Sequence, residues 1–347
     1  MKKTLLASTA LAALGAVAVA SPASAKFEVG VSGYMEQWFG YSDNTDAVPN
    51  SDVFDSFSDS EFFVGFKQTL DNGLEIGGEI QVEGQQASAE QIDEQYIFIN
   101  GSFGRLEIGT DNGAGYRMHY GLKSNGVGID ENDVDEWIAG SNSALRTTSQ
   151  TTSYDDDQNK ITYFSPRVSG FQIGASFVPE DDVNASEGAA AGGKEVDAVR
   201  DTGFILGANY VTSVADMSIK ASVGYADAGG GVAGNETAFS TGIQLGFGGF
   251  TASFAYGEHE DDTAVSDENV FGASLAYNAG PAGVSIAYIR GEDSDSNDEQ
   301  DAIELGASYA VGPGVSAKTS LYYLDRSFNG ADAADGVGVV AGLALSF

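Results

Sequence analysis

From Val337 to the end of the chain, the larger apolar residues fall on alternate positions: Val337, Val339, Ala341, Leu343, Leu345 and Phe347. Gly338, Val340, Gly342, Ala344 and Ser346, mostly small, lie between them. A period of two is the mark of a strand whose two faces meet different surroundings. The same alternation recurs at 27–41, 61–70, 74–84, 94–102, 105–110, 159–165, 171–178 and 202–212. It continues at 217–226, 237–247, 250–257, 269–277, 284–290, 302–310, 315–324 and 337–347, predicting sixteen strands. Most have the length of a tilted membrane-crossing strand, roughly 9–11 residues.

The connections alternate short and long. Short ones are Asp71-Asn72-Gly73, Phe103-Gly104, 165–170, 213–216, Gly248-Gly249, 278–283 and 311–314, each rich in Gly, Pro or Asp/Asn turn chemistry. Long ones centre on Asp46, Ala87, Gly126, Ala190, Gly231, Asp262, Ser296 and Ala331. This is the arrangement of sixteen meandering strands with both ends of the chain on one side. With these boundaries about 40 of the 51 carboxylates fall in the long connections, as expected of a barrel whose long loops face outside and short turns face the periplasm. A soluble sandwich has no reason to load one end with acid. In a bilayer every strand N–H and C=O must be paired, so the sheet has to close. The reading is therefore an all-β, closed antiparallel transmembrane barrel of sixteen strands, too wide for side chains to fill. Tyr225, Tyr256, Tyr277, Tyr288, Tyr309 and Tyr323 at strand ends suit interfacial girdles.

Composition sharpens this picture. The 347 residues hold 16 Lys and Arg against 51 Asp and Glu, a net charge of −35, which argues against a nucleic-acid partner. Yet 20 Phe, 15 Tyr and 46 Gly do not describe a disordered acidic chain. Lys2 and Lys3, the apolar run Leu5 to Ala20, and Ala23-Ser24-Ala25 read as a secretory signal peptide over 1–25, removed to leave a barrel of 26–347. Cysteine is absent, and no later segment holds the ~18 apolar residues of a transmembrane helix. With only His119 and His259 besides, no catalytic role is expected; His259 reads as a loop histidine among solvated acids.

Gln95-Tyr96-Ile97-Phe98-Ile99-Asn100-Gly101-Ser102-Phe103-Gly104-Arg105-Leu106-Glu107-Ile108-Gly109 resembles strand 4, the Phe-Gly turn and strand 5 of the Gram-negative general porins, especially their alphaproteobacterial branch. Phe347 with its alternating apolar residues is similar to the signal that outer-membrane assembly machinery reads. The resemblance implies a homotrimer of sixteen-stranded barrels in outer-membrane lipid and lipopolysaccharide. It also implies a third loop folded into each lumen and passive diffusion of small hydrophilic solutes.

The third loop here is 110–158, and Asp130, Glu131, Asp133, Asp135 and Glu136 are the candidate constriction, with Trp137 and Ile138 packing the segment onto the wall. General porins commonly set an arginine cluster opposite. In this chain, the positions alternating with outward Val29, Val31, Val64, Phe66, Ile76, Ile80 and Val82 include Glu28, Glu36, Glu61, Glu75, Glu79 and Glu83, with Lys67 the one base. Lys160, Lys220 and Lys318 come later at inward phase, too scattered for a cluster. Arg105 belongs at the periplasmic rim; Arg117, His119 and Lys123 start the third loop and partly balance its acid. A carboxylate-lined lumen predicts cation selectivity.

No cofactor is required. Asp293-x-Asp295-x-Asn297 has part of an EF-hand spacing, but Asp298 replaces the needed glycine and the helices are missing. A looser expectation is structural Ca²⁺ or Mg²⁺ at Asp155, Asp156, Asp157, Asp293, Asp295 and Asn297, bridging acidic loops to lipopolysaccharide. Two alternatives remain: a substrate-specific channel on the same fold, and a secreted acidic calcium-binding adhesin, which should show a fixed repeat that is not found.

Overall fold

The computed structural model describes residues 27–44, 53–84, 92–130, 137–138, 140–149, 158–179, 202–230, 234–262 and 266–347. Its strands are β1 (Glu28–Asn44), β2 (Val53–Thr69), β3 (Glu75–Glu83), β4 (Ile92–Gly101), β5 (Gly104–Thr110), β6 (Asn159–Phe164), β7 (Phe171–Val178) and β8 (Gly203–Val214). They continue with β9 (Met217–Ala228), β10 (Glu236–Phe247), β11 (Phe250–Asp261), β12 (Ser266–Ala279), β13 (Ala282–Asp293), β14 (Asp298–Gly312), β15 (Val315–Phe328) and β16 (Ala331–Ser346). Each pairs antiparallel with its sequence neighbours, and β1 pairs with β16, so the sheet closes. At the seam, Gly33 and Phe347 exchange both N–H···O bonds at 3.0 Å, and the Phe347 ring lies 5.8 Å from that of Phe62.

Alternation decides which side chain faces which way. Val337, Val339, Leu343 and Leu345 are exposed on the outer face, as are Val29, Val31, Met35 and Phe39 on β1. Such an apolar band suits contact with hydrocarbon, not with water. Near one end of the barrel, Tyr225, Tyr256, Tyr288 and Tyr323 turn their hydroxyls to Asp227, Asn269, Asp301 and Asp325, respectively. Each ring is thus apolar-side down and polar-tip out, the orientation an interface rewards.

The short turns are as short as expected, and Gly248-Gly249 takes positive φ at both residues (57° and 87°), which L side chains resist and a two-residue hairpin requires. The other end differs from expectation. The connections expected around Ser296 and Ala331 are tight turns, Ser294 to Asn297 and Asn329-Gly330, because β14, β15 and β16 run on through Asp298–Asp301, Asp325–Ser327 and Ala331–Gly336. Ladder hydrogen bonds outlast the apolar alternation there: beyond the bilayer a strand stays paired while carrying polar side chains on both faces. His259 is likewise a β11 residue, its ring between Glu236 (3.0 Å) and Glu268 (3.5 Å), not a solvated loop histidine.

Candidate functional site

The inner face has two unlike halves. From β7 to β15 it is built from small residues in a repeated pairing: Gly174-x-Ser176, Gly207-x-Asn209, Ser222-x-Gly224, Ser240-x-Gly242, Gly272-x-Ser274 and Gly283-x-Ser285. The segment after β5 lies along this track. Its start, with the one-turn helix α1 (Ala114–Arg117), is tied down by Arg117, which pairs with Glu107 and with Asp111 (2.7 Å); Lys160 donates to the Asp111 carbonyl.

The glycines make room for the segment and the serines hold it. A Cβ at Gly207 would strike the Ala114 carbonyl, one at Gly242 the Tyr120 carbonyl, and one at Gly306 the Gly126 amide. Backbone N–H groups of the segment donate in order to Ser176 (from Ala114, 3.0 Å), Ser222 (Tyr120, 2.8 Å), Ser274 (Lys123, 3.0 Å), Ser285 (Asn125, 2.8 Å) and Ser320 (Val127, 2.7 Å). An irregular segment has no ladder of its own, so its amides need partners from elsewhere. Glu304, buried on β14, accepts from Ser124 Oγ (2.7 Å), Gly128 N (2.9 Å) and Ser320 Oγ (2.6 Å).

Further on, Ile129, Trp137 and Ile138 are buried in a cluster with Trp38, Val270, Ile289, Tyr322, Leu324 and Val340 of the wall. Trp137 covers Gly40, where any Cβ would meet its ring. Burial of each such side chain contributes roughly 1.5–3 kcal/mol. The segment returns past Asn142, which exchanges hydrogen bonds with Gln300 (2.8 and 3.0 Å) and donates to Asp298 (3.1 Å).

Asp130 does not project from the segment. Its carboxylate accepts from Leu122 N (2.9 Å), Thr148 N (2.9 Å) and Thr148 Oγ (2.7 Å), knotting the outgoing and returning runs together. With that hydroxyl spent on Asp130, His119 Nε2–H donates to Thr148 Oγ (3.2 Å), leaving Nδ1 buried without a donor. Burial pushes His119 down to about 4, so the ring is neutral. Glu131, Asp133, Asp135 and Glu136 lie outside the described residues, as do Asp155, Asp156 and Asp157.

The β1–β4 half is acidic. Cross-strand register puts Glu36, Glu61, Glu75, Glu79, Glu83 and Lys67 on one face, with Asp59 and Glu94 joining them. Lys67 pairs with Glu75 at 3.4 Å, Asn100 donates to Glu75 (2.9 Å), and Tyr96 donates to Glu79 (3.3 Å). Tyr34 donates to Asp59 at 3.3 Å. Arg105 sits at the turn end of β5, paired with Glu107 and stacked 3.9 Å from the Phe98 ring centroid.

The lysines are less scattered than their spacing implied. Lys123 is held below its ordinary range, first by burial and then by the positive charges of Lys318 and Lys220. Lys220 also lies 5.4 Å from the Tyr120 ring centroid. A loop residue thus links bases on β9 and β15, a grouping invisible in one dimension. Asp293 is engaged in its own turn, accepting from Ser296 Oγ (2.7 Å) and Asp295 N (3.0 Å), with Asn297 at φ 49°.

A closed sixteen-stranded barrel with an apolar outer band and a long segment after its fifth strand narrows the field to one kind of family. The model of the family described as Gram-negative porin matches residues 7–329. The chain belongs to that family. As a member, it is an outer-membrane porin channel. A search of curated proteins finds no match. Among solved structures, a porin refined at 1.8 Å superposes with a TM-score of 0.63 at 18% identity, covering 92% of this chain and 100% of that one. An anion-selective porin from Comamonas acidovorans does so at 0.60 and 16%, covering 93% and 100%. OmpT of Vibrio cholerae, in its in-vitro folded trimer form, gives 0.63 and 12%, covering 92% and 99%. At these identities the likeness is one of fold.

Proposed function

We propose that this porin is a general diffusion channel for small hydrophilic solutes, that it prefers cations, and that the 110–158 segment is its constriction. The observation that carries the reading is the division of the inner face. The described part of the segment covers the glycine and serine half, so the passage left open runs beside the half-buried Glu75, Glu79 and Glu83. Fixed carboxylates raise the local cation concentration, and Lys123 of the segment with Lys220 of β9 and Lys318 of β15 set a transverse field that tempers the preference without reversing it. The Comamonas relative, anion-selective on the same fold, means the sign must come from side chains and not from the barrel.

The wider reading follows the family. Residues 1–25 are a signal peptide removed on export, both termini face the periplasm, Phe347 is the assembly signal, and the barrel is a homotrimer in lipid and lipopolysaccharide. Divalent cations bridge the acidic loop ends to lipopolysaccharide. The deciding experiment is planar-bilayer conductance of the folded protein, with reversal potential under a KCl gradient. Steps in multiples of three with a cation-selective potential that shrinks at high salt are expected. An anion-selective potential would overturn the role given to the acidic wall.

A further inference from the structure

The bulge in β4 does something a regular strand cannot. β3 and β4 pair in step as far as Ile80 with Gln95, and the next pair is Val82 with Ile92. Gln81 therefore faces two residues, Asp93 and Glu94. Consecutive strand residues ordinarily point to opposite faces; an extra residue redirects one of them. Both carboxylates consequently meet that of Glu61, which reaches across β3 from β2. One oxygen of each of the three lies within 4.8 Å of the others.

Glu61 is only 6% exposed, and its Oε1 has no hydrogen-bond partner. Asp59 and Glu83 stand close enough to repel it. A bare carboxylate oxygen buried among carboxylates is costly unless something positive meets it. We propose that Glu61, Asp93 and Glu94 form a binding site for a hard divalent cation of the calcium class on the inner wall. The donors are all oxygen, which suits Ca²⁺ and not the softer metals. Ca²⁺ takes its ligands at 2.3–2.6 Å in flexible geometry, so two ligands of one ion are at most about 5 Å apart, as found here; Mg²⁺ demands a tighter octahedron. Glu94 is steadied for this role by Asn112, which donates to its Oε1 at 2.6 Å. The bound ion ties β2 to β4 over β3 and cancels part of the acidic wall, whatever the channel's selectivity.

The test uses the folded full chain in detergent, stripped with chelator and titrated calorimetrically with Ca²⁺ alone at high salt, which screens diffuse binding to the acidic surface. Wild type should take up one saturable ion per chain that Glu61→Gln lacks. Asp71→Asn, in an exposed turn far from the site, should keep it. Ca²⁺ should also raise the unfolding temperature of wild type and leave that of Glu61→Gln unmoved. Equal uptake by wild type and Glu61→Gln, or equal losses in Glu61→Gln and Asp71→Asn, would overturn the site. Should Glu61→Gln fail to fold, the half-buried Asp93→Asn is read in its place, with the same two outcomes.

Discussion

The two halves of the inner face share one scaffold and solve opposite problems. From β7 to β15 the wall carries a track of glycine and serine, so that another stretch of chain can lie on it and find its hydrogen bonds there. From β1 to β4 the wall keeps long ionisable side chains, and the start of the segment reaches them through Asn112, which donates to Glu94. A barrel this wide encloses more space than its strands need. The described part of the segment lies against one side, and the other side carries charge. Side-chain size, more than charge, decides which half is covered, because a methyl at Gly242 or Gly306 already collides with segment backbone.

The comparison can be broken at several points. The largest effect is expected from Asp130→Ala, which leaves Leu122 N, Thr148 N and Thr148 Oγ without their charged acceptor. Hydrogen bonds to a charged group are each worth about 1.5–3 kcal/mol, so the knot should loosen by roughly 3 kcal/mol or more. Limited proteolysis of a barrel that still runs as folded on unheated gels should cut the segment, and channel noise should rise.

His119 offers a milder route to the same loosening. Its folded value, about 4, lies below the ordinary 6.5. The released segment therefore takes up a proton as pH falls through 6.5 while the anchored one does not until about 4. Anchoring is full above pH 6.5 and declines between 6.5 and about 4, by at most about 3 kcal/mol. Single-channel closures counted from pH 7 to 4.5 should increase in wild type and stay flat in His119→Gln. A flat profile in wild type would mean the ring is not held neutral by the segment.

Overfilling the covered half tests the size argument. Gly242→Val should cost roughly 1–3 kcal/mol and push the segment near Tyr120 off the wall into the passage, lowering unitary conductance. The matched change on the acidic half, Gly65→Ala, meets only the Glu79 carboxylate at 3.7 Å and should leave conductance unaltered. Equal effects would erase the distinction between the halves.

The smallest effect concerns charge. With chelator present, the double change Glu36→Gln with Glu83→Gln should shift the reversal potential toward zero, and Lys220→Gln with Lys318→Gln should shift it the other way, each by a few tenths of a kcal/mol in ion preference. Shifts of the same sign would sink the transverse field.

Much of the architecture was legible in the order of residues alone. Alternation located all sixteen strands, because a strand between hydrocarbon and water must alternate for as long as it crosses the bilayer. It misjudged the acidic ends of β14 to β16, where both faces meet water and pairing continues without an apolar signal. Within the site, the inward phase of Glu36, Glu61, Glu75, Glu79 and Glu83 could be counted off from neighbouring Val and Ile. The track was also written in the chain as repeated Gly-x-Ser pairs at inward phase, a signal readable once such a segment is known to need both room and acceptors.

Other features had no trace in one dimension. Asp130 looks like any acid in a loop until Thr148 closes on it. Lys123, Lys220 and Lys318 are brought within electrostatic reach only by the curvature of the barrel. Asp93 and Glu94 share a face because a bulge interrupts the pleat. Local alternation is a property of neighbours along the chain, and it determined the strands, their faces and the closed sheet. Which buried groups meet depends on how far the chain has travelled around the barrel and on where the ladder slips, and only the tertiary structure decided that.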